Sequence, residues 1–179
     1  MIALTDRTGI EKCQALLRQV TVEEKVGEHT LATDFNVHRV RERGWKVVPV
    51  ESVARLAADD IPRLVSVLRQ ASSGECLVVV TEDLGELPSC YALSVTDEDF
   101  RELNRTLGLF RFLIADAGGL WAISCNEWYN LFAANPELLE RMLGKPIHEA
   151  RAAFVQFASA VGPSDGNRLL AVAGRYAAV

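Results

Sequence analysis

The chain has 179 residues, 49% of them apolar and 24% charged, and a formal net charge of −5. These values are typical of one globular domain, which at this length folds without a metal or disulfide, and they exclude the composition of a disordered segment. The start of the chain lacks the pattern of a signal peptide. No apolar run approaches the roughly 20 residues of a membrane-spanning helix. We therefore expect a cytoplasmic protein with no membrane partner.

The first elements follow from apolar spacing and proline positions. A helical stripe runs over residues 9–20, and a short strand is expected at 45–50. Pro49 within that strand predicts that it lies at a sheet edge or ends early. Two helices should follow, at about 51–58 and 61–71.

A basic segment precedes the first strand and includes Arg39, Arg41 and Arg43, which would share one face of an extended chain. We interpret it as a charged, solvated edge strand. Nucleic-acid binding is the alternative, and the net negative charge argues against it because phosphate affinity depends on neutralising many charges.

The middle of the chain predicts antiparallel pairing. Residues 76–81 are β-branched and apolar, and alternation at 91–95 indicates a strand that pairs back on them. Thr96 begins a capping pattern that opens a helix ending at Gly108. Two apolar runs joined by a glycine-rich link then predict a β-hairpin at about 109–124.

The last third is predicted to be helical. We expect a helix over 126–134, a second one capped by Asn135 and a third over about 146–160. A Gly/Pro-rich breaker follows, and residues 163–179 are expected to form a tail that is either a short edge strand or mobile.

This order of elements lacks strict βαβ alternation, so the predicted fold class is α+β, with a mainly antiparallel sheet packed by several helices. Residues 1–162 are assigned to a single domain.

Sequence motifs of common catalytic sites are absent. The chain contains no Walker loop, dinucleotide fingerprint, hydrolase elbow or zinc-ligand spacing. We expect no catalytic residue, no cofactor and no metal. The four cysteines are expected to be buried free thiols, and the alternative for Cys125 is a nucleophile activated at a helix start.

The acids are unevenly distributed. Residues 75–102 contain eight acids and one base, Arg101. Such a segment is either a solvated surface or a negative patch that steers a basic partner. An aromatic cluster lies further along, at 121–132, and it is either core or an interface.

These two segments supply the predicted partner-binding residues. They are Glu82, Asp83, Glu86, Asp97, Glu98, Trp121, Trp128 and Tyr129.

Three functional hypotheses remain open at this point. The first is a non-catalytic protein-binding or inhibitory module for a basic partner, as an immunity-type protein would be. The second is an enzyme whose carboxylates come from distant loops, with Glu82, Asp83, Asp116 and Glu127 as candidates. The third is self-association as a homo-oligomer through an edge strand or the aromatic cluster.

Overall fold

The computed structural model describes residues 1–21, 24–26, 29–31, 34–52, 55–71, 74–82 and 88–179. The helices in these residues are α1 (Arg7–Val20), α2 (Val37–Glu42), α3 (Ile61–Ala71), α4 (Asp97–Leu107), α5 (Pro136–Leu143), α6 (Ile147–Ala160) and α7 (Pro163–Tyr176). The strands are β1 (Ile2–Ala3), β2 (Glu24–Val26), β3 (His29–Leu31), β4 (Lys46–Glu51), β5 (Glu75–Val80), β6 (Cys90–Ser94), β7 (Phe112–Asp116), β8 (Trp121–Cys125) and β9 (Tyr129–Ala134).

Seven of the strands form one sheet in the order β1-β6-β5-β7-β8-β9-β4. Every neighbouring pair in it is antiparallel. Strands β2 and β3 form a separate two-stranded sheet. The predicted α+β class with an antiparallel sheet is confirmed.

Helices cover both faces of the large sheet. Side chains of α3, α4 and α5 pack on one face, and α1, α2, α6 and α7 contribute buried side chains to the other. Successive side chains of a strand point to opposite faces of the sheet, so each strand contributes to the apolar core on both faces. In β7, for example, Ile114 lies on the face covered by α3, α4 and α5, and Leu113 and Ala115 lie on the opposite face.

The hairpin formed by β7 and β8 confirms the prediction for 109–124. Phe112 pairs with Cys125 at its open end. At the turn, the Gly119 amide donates to the Asp116 carbonyl over 2.9 Å, and the Asp116 carboxylate accepts from the Leu120 amide over 3.1 Å. Gly119 has φ of 76°, a left-handed conformation that favours glycine.

The predicted helix caps are also present. Thr96 Oγ1 accepts a hydrogen bond from the Asp99 amide at the start of α4. Asn135 Oδ1 accepts from the Leu138 amide at the start of α5, and Gly144 ends that helix in the left-handed conformation. Each cap satisfies a backbone group that the helix itself leaves unpaired.

Residues 126–134 were wrongly predicted as a helix, because Tyr129–Ala134 form strand β9. This strand lies between β8 and β4, and all six of its residues are buried. A strand with both faces covered loses the apolar–polar alternation by which a strand is recognised.

The prediction of an edge strand or mobile tail at 163–179 is also wrong, because Pro163–Tyr176 form helix α7. Pro163 occupies the first turn, where a missing amide costs nothing. A Cβ on Gly166 would lie 2.6 Å from the Ala158 carbonyl oxygen. This glycine therefore permits the close approach of α7 to α6, although in the sequence it resembles a breaker.

Two predictions before β5 need correction. The basic segment forms helix α2, capped by the Asn36 side chain, rather than a strand that aligns Arg39, Arg41 and Arg43. The helix expected at 51–58 is not formed, because Glu51 ends β4 and residues 55–57 are not helical; residues 53–54 lie outside the described residues. The edge position predicted from Pro49 is confirmed for β4.

The outer edge of β4 is partly closed by Arg151 on α6. Its Nη2 donates to the carbonyls of Val47, Tyr176 and Val179 over 3.1, 2.9 and 2.7 Å. Its Nη1 donates to the Ala177 carbonyl over 3.0 Å. One guanidinium thus connects the sheet edge, α6 and the C-terminal end of α7.

Candidate binding surface and cleft

The predicted acidic stretch is divided between two ends of the sheet. Helix α4 begins just after Ser94, which pairs with Glu75 at the start of β5. Glu82 lies beyond the other end of β5. Asp83 and Glu86 lie outside the described residues. The acids therefore do not form one continuous surface in the part of the chain that the structure describes.

The acids that remain together lie on α4. Asp97 and Glu98 are exposed in the first turn and form no salt bridge with any described residue. Asp99 and Glu102 accept hydrogen bonds from the Met1 amino group at 2.7 and 3.2 Å. We call Asp97 and Glu98 the α4 acidic surface.

Asp99 illustrates the difference between an engaged and a free carboxylate. Burial opposes its ionisation, but hydrogen bonds from the Met1 amine and the Ser94 amide outweigh that effect and hold the pKa of Asp99 below its ordinary value. Asp97 and Glu98 lack such partners among the described residues, so their charges face solvent.

The aromatic half of the predicted binding surface is mostly core. Trp121 is completely buried on the face covered by α3, α4 and α5, and Tyr129 is buried on the opposite face. The Tyr129 hydroxyl donates to Asp34 over 3.1 Å. Trp128 is the partly exposed member. Because Trp121 and Tyr129 point away from solvent, assigning them to a partner surface is wrong.

The candidate catalytic carboxylates do not all meet. Glu82 and Glu127 both contact Arg111, at 3.2 and 3.7 Å. Asp116 lies at the opposite end of β7, where it holds the hairpin turn. Asp83 lies outside the described residues.

All four cysteines are free and buried, as predicted. Burial raises the pKa of Cys125, which opposes formation of the thiolate that a nucleophile needs. Cys13 and Cys90 form a thiol pair between α1 and β6, and the hydrogen bond from Cys13 lowers the pKa of Cys90. Among the described residues, no group of three His, Cys, Asp or Glu side chains is arranged to hold a metal ion.

A cleft of about 780 Å³ lies beside the C-terminal half of β4. Its walls come from β4, the segment that follows it, α3, α4 and β9. Its charged lining residues are Arg55, Arg63, Arg101, Arg105, Glu51 and Asp60. The cleft is therefore predominantly basic on an acidic chain.

Sequence reasoning missed this cleft. The only sequence signal was the spacing of Arg101 and Arg105, which places both on one face of a helix. Arg55 and Arg63 join them only through the way α3 and α4 pack on the sheet.

Comparisons with protein-family models, curated proteins and solved structures found no match to this chain. None of the helices in the described ranges is both long enough and apolar enough to cross a membrane.

Proposed function

We propose that this protein is a non-catalytic protein-binding module that holds a basic partner protein through the α4 acidic surface. The observation that carries the proposal is the exposure of Asp97 and Glu98 without a salt bridge to any described residue. Neighbouring acids are engaged by the Met1 amine, so these two are the charges available to a partner.

Exposed charges of one sign act on a partner mainly before contact. They attract the opposite charge over about one Debye length, roughly 8 Å at physiological salt, and raise the association rate. A basic protein, including a basic toxin that an immunity-type protein would inhibit, fits this surface. We propose a cytoplasmic location for the protein, which fractionation of its native cells tests.

A charge-reversal pair tests the proposal. Asp97→Lys with Glu98→Lys reverses the surface, whereas Glu137→Lys with Glu149→Lys makes the same charge change in the first turns of α5 and α6. Both pairs lose similar helix-dipole stabilisation, about 0.3–1 kcal/mol per acid. The control therefore matches the variant in charge and in helix position.

The measurement is capture from a native lysate at low salt, followed by elution with salt. We expect the wild-type chain and the control pair to capture a basic protein in stoichiometric amount and the Asp97/Glu98 pair to lose it. Equal capture by both pairs, or no stoichiometric basic protein on the wild-type chain, would overturn the proposal.

A further inference from the structure

We propose that the cleft beside β4 binds a small organic anion that also carries an N–H or O–H donor, with the arginines holding the anionic group and Asn130 accepting the donor. This cleft adjoins the α4 acidic surface, because Arg101 and Arg105 also line a pocket with Asp97 and Glu98, but the inference does not depend on a partner protein. Its volume, about 780 Å³, lies within the range of small-molecule sites.

The arginines make the cleft attractive to an anion. Arg101 and Arg105 project from α4 one turn apart, and Arg55 comes from the segment after β4. These three guanidinium groups form no ion pair with a described residue. Such groups bind carboxylate or phosphate by paired, charge-assisted hydrogen bonds.

The acids of the lining do not cancel this charge. Asp60 is neutralised by Arg63, whose Nη2 donates to Asp60 Oδ1 over 2.6 Å. Glu51 is the remaining carboxylate of the lining. Three arginines against one glutamate leave the lining itself net positive, although Asp97, Glu98 and Glu102 lie beside Arg101 and Arg105 outside it.

Asn130 supplies an independent observation. It lines the cleft and is only 3% exposed, and its Nδ2 donates to the Arg55 carbonyl over 3.1 Å. Its Oδ1 is buried and has no hydrogen-bond partner in the described part of the chain. A buried acceptor left unpaired costs about 1–3 kcal/mol, so a ligand donor that reaches it gains a preformed partner.

The walls that carry these groups are fixed in place. Asn104 on α4 accepts from the Leu56 amide over 3.0 Å and donates to the Leu56 carbonyl over 2.7 Å. Arg63 on α3 also donates to the Met142 carbonyl. These bonds hold α4, α3 and α5 around the cleft before any ligand enters, which lowers the entropic cost of binding.

Apolar side chains complete the lining and can contact the apolar part of an organic ligand. They include Leu56, Ile61, Leu64, Phe132 and Met142. A bare inorganic ion would leave this surface unused. The ligand is therefore an organic carboxylate or an organic phosphate.

Calorimetric titration with two probes tests the inference. Adenosine monophosphate presents a phosphate and N–H donors, and N-acetylglutamate presents carboxylates and an N–H donor. We expect at least one of them to bind at millimolar concentration or below. The probe that binds more tightly shows whether the cleft prefers a phosphate or a carboxylate. Adenosine, which lacks the anion, should bind at least about tenfold more weakly than its phosphate.

Three variants locate the site. Arg101→Gln with Arg105→Gln should lower the affinity for the probe by at least about tenfold, which corresponds to the loss of one charge-assisted hydrogen bond. Arg41→Gln with Arg168→Gln removes the same charge from exposed positions outside the cleft lining and should leave binding unchanged. Asn130→Leu should also weaken binding, with thermal unfolding measured to verify that the variant is folded.

The inference is overturned if neither probe binds the wild-type chain. It is also overturned if the two arginine pairs weaken binding equally, because the effect would then be one of net charge alone.

Discussion

Replacing Arg151 with methionine should weaken the whole fold, because one guanidinium there joins three elements. Methionine retains much of the apolar stem, so the substitution removes mainly the hydrogen bonds. The bonds lost run to four carbonyls, those of Val47, Tyr176, Ala177 and Val179.

The size of the effect follows from which carbonyls can find water. A hydrogen bond from a charged group contributes about 1.5–3 kcal/mol, and such contributions do not add when the bonds share one donor group. Ala177 is exposed and its carbonyl regains water, whereas Val47, Tyr176 and Val179 are buried, so their carbonyls are left with less access to it. We expect the free energy of unfolding to fall by about 3 kcal/mol.

Urea unfolding of Arg151→Met, Arg151→Lys and Arg168→Met measures this. Lysine retains the charge but not the planar fork, so we expect an intermediate loss for Arg151→Lys. Arg168 is exposed, and its replacement removes the same charge and should change the free energy by less than about 0.5 kcal/mol. If Arg151→Met were as stable as Arg168→Met, the assignment of Arg151 as a connector of α6, α7 and β4 would be refuted.

Two further predictions concern stability. Asn135→Ala should lower the free energy of unfolding by about 1 kcal/mol in urea, whereas Asn135→Asp, which retains a cap acceptor, should lose less; equal losses would argue against the cap. Burial raises the pKa of Cys76 to about 12, while an unfolded thiol ionises near pH 8.5. The folded state therefore keeps a proton that the unfolded state releases, so stability should fall between about pH 8.5 and 12, with a contribution from Cys76 of at most about 1.4 kcal/mol per pH unit. Cys76→Ala should reduce that slope in urea titrations at a series of pH values, and an unchanged slope would contradict the assignment.

The helices with capping residues and the hairpin with its glycine turn could be predicted from neighbouring residues in the sequence. Thr96 and Asn135 cap their helices as expected, because a cap involves only residues three positions apart. The hairpin turn at Gly119 is equally local. Such features depend little on the rest of the fold.

The errors arose where burial or packing decides the structure. Strand β9 is buried on both faces, so its residues show no alternation. Gly166 belongs to a sequence pattern typical of a helix breaker, yet its lack of a Cβ permits α7 to pack on α6. The first explanation requires the pairing of β9 with β4, which is distant in the sequence, and the second requires the packing angle between α6 and α7.

The proposed surface and the cleft could be predicted only in part for the same reason. Asp97 and Glu98 are exposed because a helix start places them there, and that much is local. Trp121 was assigned to a surface, although the β7–β8 hairpin buries it in the centre of the sheet. The cleft joins α4 to Asn130 across the fold, a juxtaposition that no sequence pattern marks.

The central claim, a basic protein held through the α4 acidic surface, is tested most directly by the association rate with the purified partner at increasing ionic strength. For the wild-type chain the rate constant should fall steeply with salt, as it does in electrostatically steered association. For Asp97→Lys with Glu98→Lys it should be low and nearly independent of salt. The same salt dependence in the wild-type chain and this variant would contradict the claim.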